Sequence, residues 1–109
     1  MPLYVVQMYY ATLKEGSRRV TETMSTIAAL SRGDCILIRR GEHTSAIAFV
    51  SNETEAHLDA KFRRLRDRDF SLVAFEAAWI LGGSMSKRLD DWLDRHQSNL
   101  RASNDRREP

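Results

Sequence analysis

Apolar residues recur along this chain in two rhythms, and the change from one to the other predicts the elements. Runs rich in β-branched and aromatic residues predict strands at LYVVQMYY (Leu3–Tyr10), CILIRR (Cys35–Arg40), TSAIAFV (Thr44–Val50) and FSLVAFEAAWI (Phe70–Ile80). Between the strands the spacing turns helical. Val20, Met24 and Ile27 recur at i, i+4, i+7 in a helix expected to be capped by Ser17, with Gly16 as the breaker before it and Gly33 closing it. Leu58, Phe62 and Leu65 form the stripe of a second helix running from Glu53 to Asp69, with Asn52 as cap and Glu55 as its capping-box partner. A last helix is expected to start near Ser84 or Ser86, with Met85, Leu89, Trp92 and Leu93 on its apolar side. The connection GEH (Gly41–His43) is so short that strands two and three must form an antiparallel hairpin.

The order is strand, helix, strand, strand, helix, strand, then an extra helix. This predicts an α+β domain of the ferredoxin-like βαββαβ arrangement: an antiparallel sheet with helices on one face, plus a C-terminal helix. The other face should be polar in a monomer. Here CILI and AIAFV are apolar at consecutive positions, and LYVVQMYY has apolar residues on both sides. A second apolar face predicts a partner, and a homodimer packed through the sheet is the economical one.

Composition adds bounds. The chain of 109 residues, 42% hydrophobic, fits one domain, expected over residues 1–98 with a flexible tail over 99–109. The single cysteine, Cys35, has no internal disulfide partner, no apolar run approaches bilayer length, and no signal-peptide pattern opens the chain. A cytoplasmic protein without membrane partner is the expectation. The net charge of +2 excludes a general attraction to polyanions, so any such attraction is local.

The local candidate is KFRRLRDRDF (Lys61–Phe70). The helix around it is neutral, with five acids and five bases over Glu53–Asp69. Asp59–Arg63 and Arg63–Asp67 stand at pairing distance along a helix, so much of the run reads as a solvated face. His57, Lys61, Arg64 and Arg68 remain as one stripe. In the expected topology the end of this helix shares a sheet edge with the start of helix one and the ends of strands one and two. That edge gathers Arg18, Arg19, Arg39, Arg40, Arg66 and Arg68 against Glu15, Glu42, Asp67 and Asp69, and the stripe adds Arg64. Arg18, Arg19, Arg39, Arg40, Arg64 and Arg68 are therefore the candidate contacts for RNA or DNA, held through phosphates in a salt-sensitive way.

No constellation of catalytic or metal-binding residues stands out. His43, His57 and His96 lack ligand spacing, and no cofactor is expected. Cys35 reads as a buried, inert thiol, Trp79 and Trp92 as core, and Asp90, Asp91 and Asp94 as partners of Lys87, Arg88 and Arg95. GGS at Gly82–Ser84 lacks the lysine of a phosphate loop.

Three stretches resemble a family. LYVVQMYY is similar to the first strand of the small CRISPR-associated ferredoxin-fold nucleases of the Cas-two type, and of their SinR-like and GhoS-type antitoxin relatives. AIAFVSNETEAHLDAKFRRL resembles the SinR-like third strand and helix. FSLVAFEAAWILGGSMSKRLDDWLDRH resembles their last strand, Ala-Trp pair and closing helix. The resemblance spans Leu3 to His96 and implies a dimeric domain with a link to nucleic acid. The family's nucleases carry a metal-binding aspartate at the end of strand one. Tyr9 occupies that position here, and no carboxylate precedes Glu15, which argues against metal-dependent cleavage. The expectation is a non-catalytic homodimeric binding protein in a defence or toxin–antitoxin context, with RNA, DNA or a protein as its partner. The alternatives are a metal-independent endoribonuclease using Tyr9, His43 or Arg40, and a small-molecule enzyme of the dimeric α+β barrel kind using Glu76 and His43.

Overall fold

The structure, a computed structural model, describes residues 1–78 and 87–100. The elements are β1 (Leu3–Tyr10), α1 (Leu13–Ser31), β2 (Cys35–Arg40), β3 (Thr44–Val50), α2 (Glu55–Arg63), β4 (Phe70–Glu76) and α3 (Lys87–Arg95), followed by a short 3-10 turn at Gln97–Asn99. The strands form one sheet in the order β2-β3-β1-β4, and every neighbouring pair is antiparallel. The fold is thus mixed α+β with a four-stranded antiparallel sheet, and its element order resembles the ferredoxin-like one. β4 ends at Glu76, short of the expected Ile80, because Ala77 and Ala78 already leave the strand. Residues 79–86, with the expected helix start near Ser84 or Ser86 and the roles of Trp79 and Met85, and residues 101–109 lie outside the described residues.

Both long connections differ in detail from the sequence expectation. α1 begins at Leu13, and its cap is Thr12, not Ser17; the Thr12 hydroxyl accepts the Glu15 backbone N–H at 3.2 Å. Gly16 is therefore inside the helix and does not break it. Its role is spatial, because a Cβ there would stand 2.5 Å from the Tyr10 ring. α1 ends as expected, with Arg32 left-handed, Gly33 at φ 82 and the Gly33 N–H donating to the Ala28 carbonyl at 2.8 Å. α2 is capped by Thr54, not Asn52, with the His57 N–H donating to its hydroxyl at 3.1 Å. It stops at Arg63, well short of Asp69, because Leu65 turns into the core and the Asp69 N–H donates to the Asp67 carboxylate at 2.8 Å.

The sheet is buried on both faces, each by its own cover. α1 and α2 close one face over Tyr4, Val6, Met8, Ile47, Phe49 and Leu72, with Val20, Ile27, Leu58 and Phe62 as the helix contribution. The second face is not left to a partner, as the one-sided expectation had it. Leu3, Val5, Ile36, Ala48 and Val50 pack against Trp92 and Leu93 of α3, and Leu100 joins them at 4% exposure. The sequence places Leu100 in the expected tail, whereas in the structure it belongs to this core. The consecutive apolar positions that suggested a sheet-to-sheet dimer are largely covered from within the chain.

One carboxylate secures this second cover. Asp34, at the start of β2, accepts the Trp92 indole N–H at 3.0 Å and the His96 Nε2–H at 3.0 Å, both on the same oxygen. The Asn99 amide lies 2.8 Å from His96 Nδ1, so the ring is held as the Nε2–H tautomer, accepting at Nδ1. Trp92 is 4% exposed, so its N–H has no recourse to water.

Two substitutions test this packing. Asp34→Ala orphans a buried indole N–H and should lower unfolding free energy by about 1–3 kcal/mol, read as a drop in thermal midpoint by circular dichroism. Gly16→Ala improves helix propensity by up to about 1 kcal/mol but drives a methyl into the Tyr10 ring. The clash should dominate, so the variant unfolds at lower urea than the wild type.

Candidate nucleic-acid interface

The strand ends, the start of α1 and the α2–β4 turn do meet at one end of the molecule. Tyr10 is the junction. Its N–H donates to the His43 carbonyl at 3.0 Å, and its hydroxyl donates to the Gly41 carbonyl at 2.7 Å while lying 2.6 Å from the Ser45 hydroxyl. Its ring stacks on Phe70 with centroids 6.3 Å apart. Arg19 bridges from α1 to Asp67 in the α2–β4 turn at 2.7 Å.

Within that end, the six candidate arginines do not form one patch. β2 and β4 are opposite edges of the sheet, so Arg39 and Arg40 stand about 14 Å or more, three strand spacings, from Arg68. Arg39 and Arg40 also diverge from each other. A register shift between Leu37 and Arg39 places Arg39 opposite Ala46, on the α3 side of the sheet, and Arg40 opposite Ser45, on the α1–α2 side. Arg18 and Arg19 are partnered: both reach Glu22, at 3.2 and 3.3 Å, and Arg19 also holds Asp67. Arg64 is the exposed C-cap of α2 and Arg68 an exposed turn residue, so the expected helical stripe through His57, Lys61, Arg64 and Arg68 loses its last member when the helix stops. Arg39, Arg40, Arg64 and Arg68 make no ion pair with a described residue.

What the sequence reading missed is the open half of the second sheet face. α3 covers the end that carries Leu3 and Val50. Beyond it, one row crosses all four strands as Arg39, Ala46, Gln7 and Val73, flanked by Tyr9 with Thr44 and Ser71 on one side and by Phe75 on the other. Tyr9, Val73 and Phe75 are 42%, 50% and 44% exposed, high for large apolar side chains. The Tyr9 hydroxyl donates to Gln7 Oε1 at 2.9 Å, which holds that ring against the sheet. Tyr9 and Phe75 are separated by roughly 14 Å from strand geometry alone. The signal was present in the period-two pattern of FSLVAFE, where Val73 and Phe75 share a face with Ser71.

The residues named for the enzyme alternatives do not converge on one place. Glu76 pairs with Tyr4 at one end of β1, whereas the His43 ring lies 2.6 Å from the Ala11 carbonyl beyond the other end. They are about 20 Å apart along the strand and share no pocket. Arg40 and Tyr9 belong to opposite faces. Among the described residues no three His, Cys, Asp or Glu side chains gather as metal ligands, and no helix is long and apolar enough to cross a membrane. No family model, no curated protein and no solved structure matches this chain.

The Arg19–Asp67 bridge carries a pH signature. The Asp69 backbone N–H, and secondarily Arg19, hold the Asp67 carboxyl below its ordinary value of 3.8, against an opposing push from burial. Such a group stabilises the fold fully above the ordinary value and loses that contribution as pH falls through its lowered one. Urea unfolding of wild type and Asp67→Asn should therefore differ at pH 6 and converge toward pH 3.

Proposed function

We propose that this chain is a non-catalytic, homodimeric nucleic-acid-binding protein on a ferredoxin-like scaffold with an added α3, and that it takes a single strand on the open half of the sheet. The observation that carries this reading is the exposure of Tyr9 and Phe75 on one flat face beside Arg39 and Gln7. Aromatic rings on an open sheet stack with unpaired bases, which every base permits, and an arginine at the margin meets the phosphate backbone. The spacing of the two rings exceeds that of adjacent stacked bases, so the strand would cross the sheet between them with Gln7 available for a base edge. The contact set is thereby narrowed from six arginines to Arg39 with two aromatic residues. Arg40, Arg64 and Arg68 serve other faces and add only long-range attraction. The βαββαβ order and the resemblance of three stretches to Cas-two-type and SinR-like proteins belong to the same reading, as does a second copy, which the exposed Val73 and Phe75 favour.

Fluorescence anisotropy with a labelled 12-nucleotide RNA or DNA strand over a salt series tests it. Binding should weaken as salt rises. Tyr9→Ala or Phe75→Ala should each weaken it by about 1–3 kcal/mol, with Arg39→Ala flattening the salt slope. No binding at low salt refutes the proposal, and degradation of the RNA by purified protein would favour the endoribonuclease reading instead.

A further inference from the structure

β4 is an open sheet edge. The register with β1, together with the Ala77 N–H donating to the Leu3 carbonyl, turns the backbone groups of Ser71, Val73 and Phe75 inward to β1. Those of Leu72, Ala74 and Glu76 then point off the sheet, in line with the outward Phe70 carbonyl, which accepts the Asp67 N–H at 3.0 Å. Among the described residues nothing pairs with the other three. β2, the opposite edge, is interrupted by its register shift, a feature that blunts edge pairing. β4 has no bulge and no proline, and of its exposed residues Val73, Ala74 and Phe75 are apolar and only Ser71 is polar.

Beside this edge runs a groove of about 450 Å³ between β4 and α2. Its other wall carries Glu55, Asp59 and Arg63 of α2 and Arg66 from the turn that follows, two acids followed by two bases. The wall is aligned with the strand. Tyr4, the partner of Glu76 in the ladder, has its phenol pushed up first by burial and then by Glu76 and Glu55, which marks the acidic end beside Glu76. The basic end lies toward the turn that returns at Phe70. With Glu55 level with Glu76, the roughly 12 Å of helix rise from Glu55 to Arg63 puts the middle of that stretch about 6 Å along β4, at Ala74.

A row of charges ordered acid, acid, base, base is its own complement when turned end for end. We infer that a second copy of this chain docks on this edge, β4 against β4 in antiparallel register with Ala74 opposite Ala74, on a two-fold axis normal to the sheet. Ala74 then forms the hydrogen-bonded pair on the axis, and Leu72 exchanges backbone bonds with Glu76 of the second copy. Val73 comes opposite Phe75 on the far face, twice, in the closer non-hydrogen-bonded pairing. On the near face the two α2 helices run antiparallel, bringing Glu55 and Asp59 to Arg66 and Arg63 of the second copy. Asp59 and Arg63, 2.7 Å apart and well exposed within one chain, need only small side-chain movements to share the partner's charges. The pairing joins two four-stranded sheets into one, with both open faces on the same side.

This inference rests on the dimeric part of the proposed function, and light scattering on size-exclusion fractions separates the two. Wild type should elute as a dimer. Glu55→Arg with Asp59→Arg makes the stripe wholly basic, and Arg63→Glu with Arg66→Glu makes it wholly acidic; each variant should elute as a monomer, and an equimolar mixture should return to the dimer. Ala74→Pro removes an outward N–H without touching the β1 ladder and should give a folded monomer, which keeps the test alive if a charge variant fails to fold. A wild-type dimer that survives all three changes overturns the edge pairing and leaves the dimeric reading standing. A wild-type monomer at high concentration overturns both, while binding of the nucleic-acid strand through Tyr9 and Phe75 is measured independently.

Discussion

Leu3, Tyr4, Val5 and Val6 are consecutive in β1, and all four are buried. Successive side chains of a strand point to opposite faces, so the central strand is apolar on both sides and needs two covers. α1 and α2 supply the first. The second has to come from the part of the chain after β4, because no other segment remains free to cross that face. α3 does this with one face carrying Trp92 and Leu93, and Asp34 fixes its position by accepting from Trp92 within it and from His96 just past its end. The burial of β1 and the Asp34 clamp are thus two parts of one solution.

The described span of α3, Lys87–Arg95, is roughly 14 Å long, which is too short to roof a four-stranded sheet from end to end. The second face is therefore divided. Over Leu3, Val50 and Ala48 it is dry; over Gln7, Tyr9 and Val73 it is open. The functional reading lies entirely in this remainder. Rings that would be core under a longer helix are instead a surface, and the arginine that reaches that surface does so because of an irregularity in β2. At the edge of the same strip, β4 meets no other helix or strand among the described residues. The stacking face and the pairing edge are consequences of one unfinished cover.

Much of the fold was legible. The four strands, the hairpin, the Gly33 stop and the buried Leu58, Phe62 and Leu65 all follow from periodicity and turn chemistry, which are local. The failures have physical causes. Thr12 and Thr54 took the capping roles expected of Ser17 and Asn52, since several hydroxyl and amide side chains near each boundary can satisfy the same N–H groups, and tertiary fit chooses among them. Gly16 was read as a breaker because glycine marks both bends and close approaches, and only the Tyr10 ring tells which. Two apolar faces were correctly inferred, but a sequence does not distinguish a cover from its own chain from one supplied by another. The arginine cluster failed on strand order: Arg39 and Arg68 share an end of the sheet but not an edge. The Asp34 clamp joins residues 58 and 62 positions apart, with no local pattern to announce it.

The central place of β1 also sets a timetable. This strand leaves the ribosome before the strands it pairs with, as its partners in β3 lie 35 to 47 positions later and those in β4 lie 60 to 72 positions later. At about 5–20 residues per second, several seconds pass before both of its edges are paired. The β2–β3 hairpin, closing over a three-residue turn, is the first possible sheet and the template on which β1 must wait. Until β4 arrives, the two-faced apolar ribbon has one edge open to any neighbouring nascent chain, so production of this protein favours slow initiation and early shielding of its first ten residues.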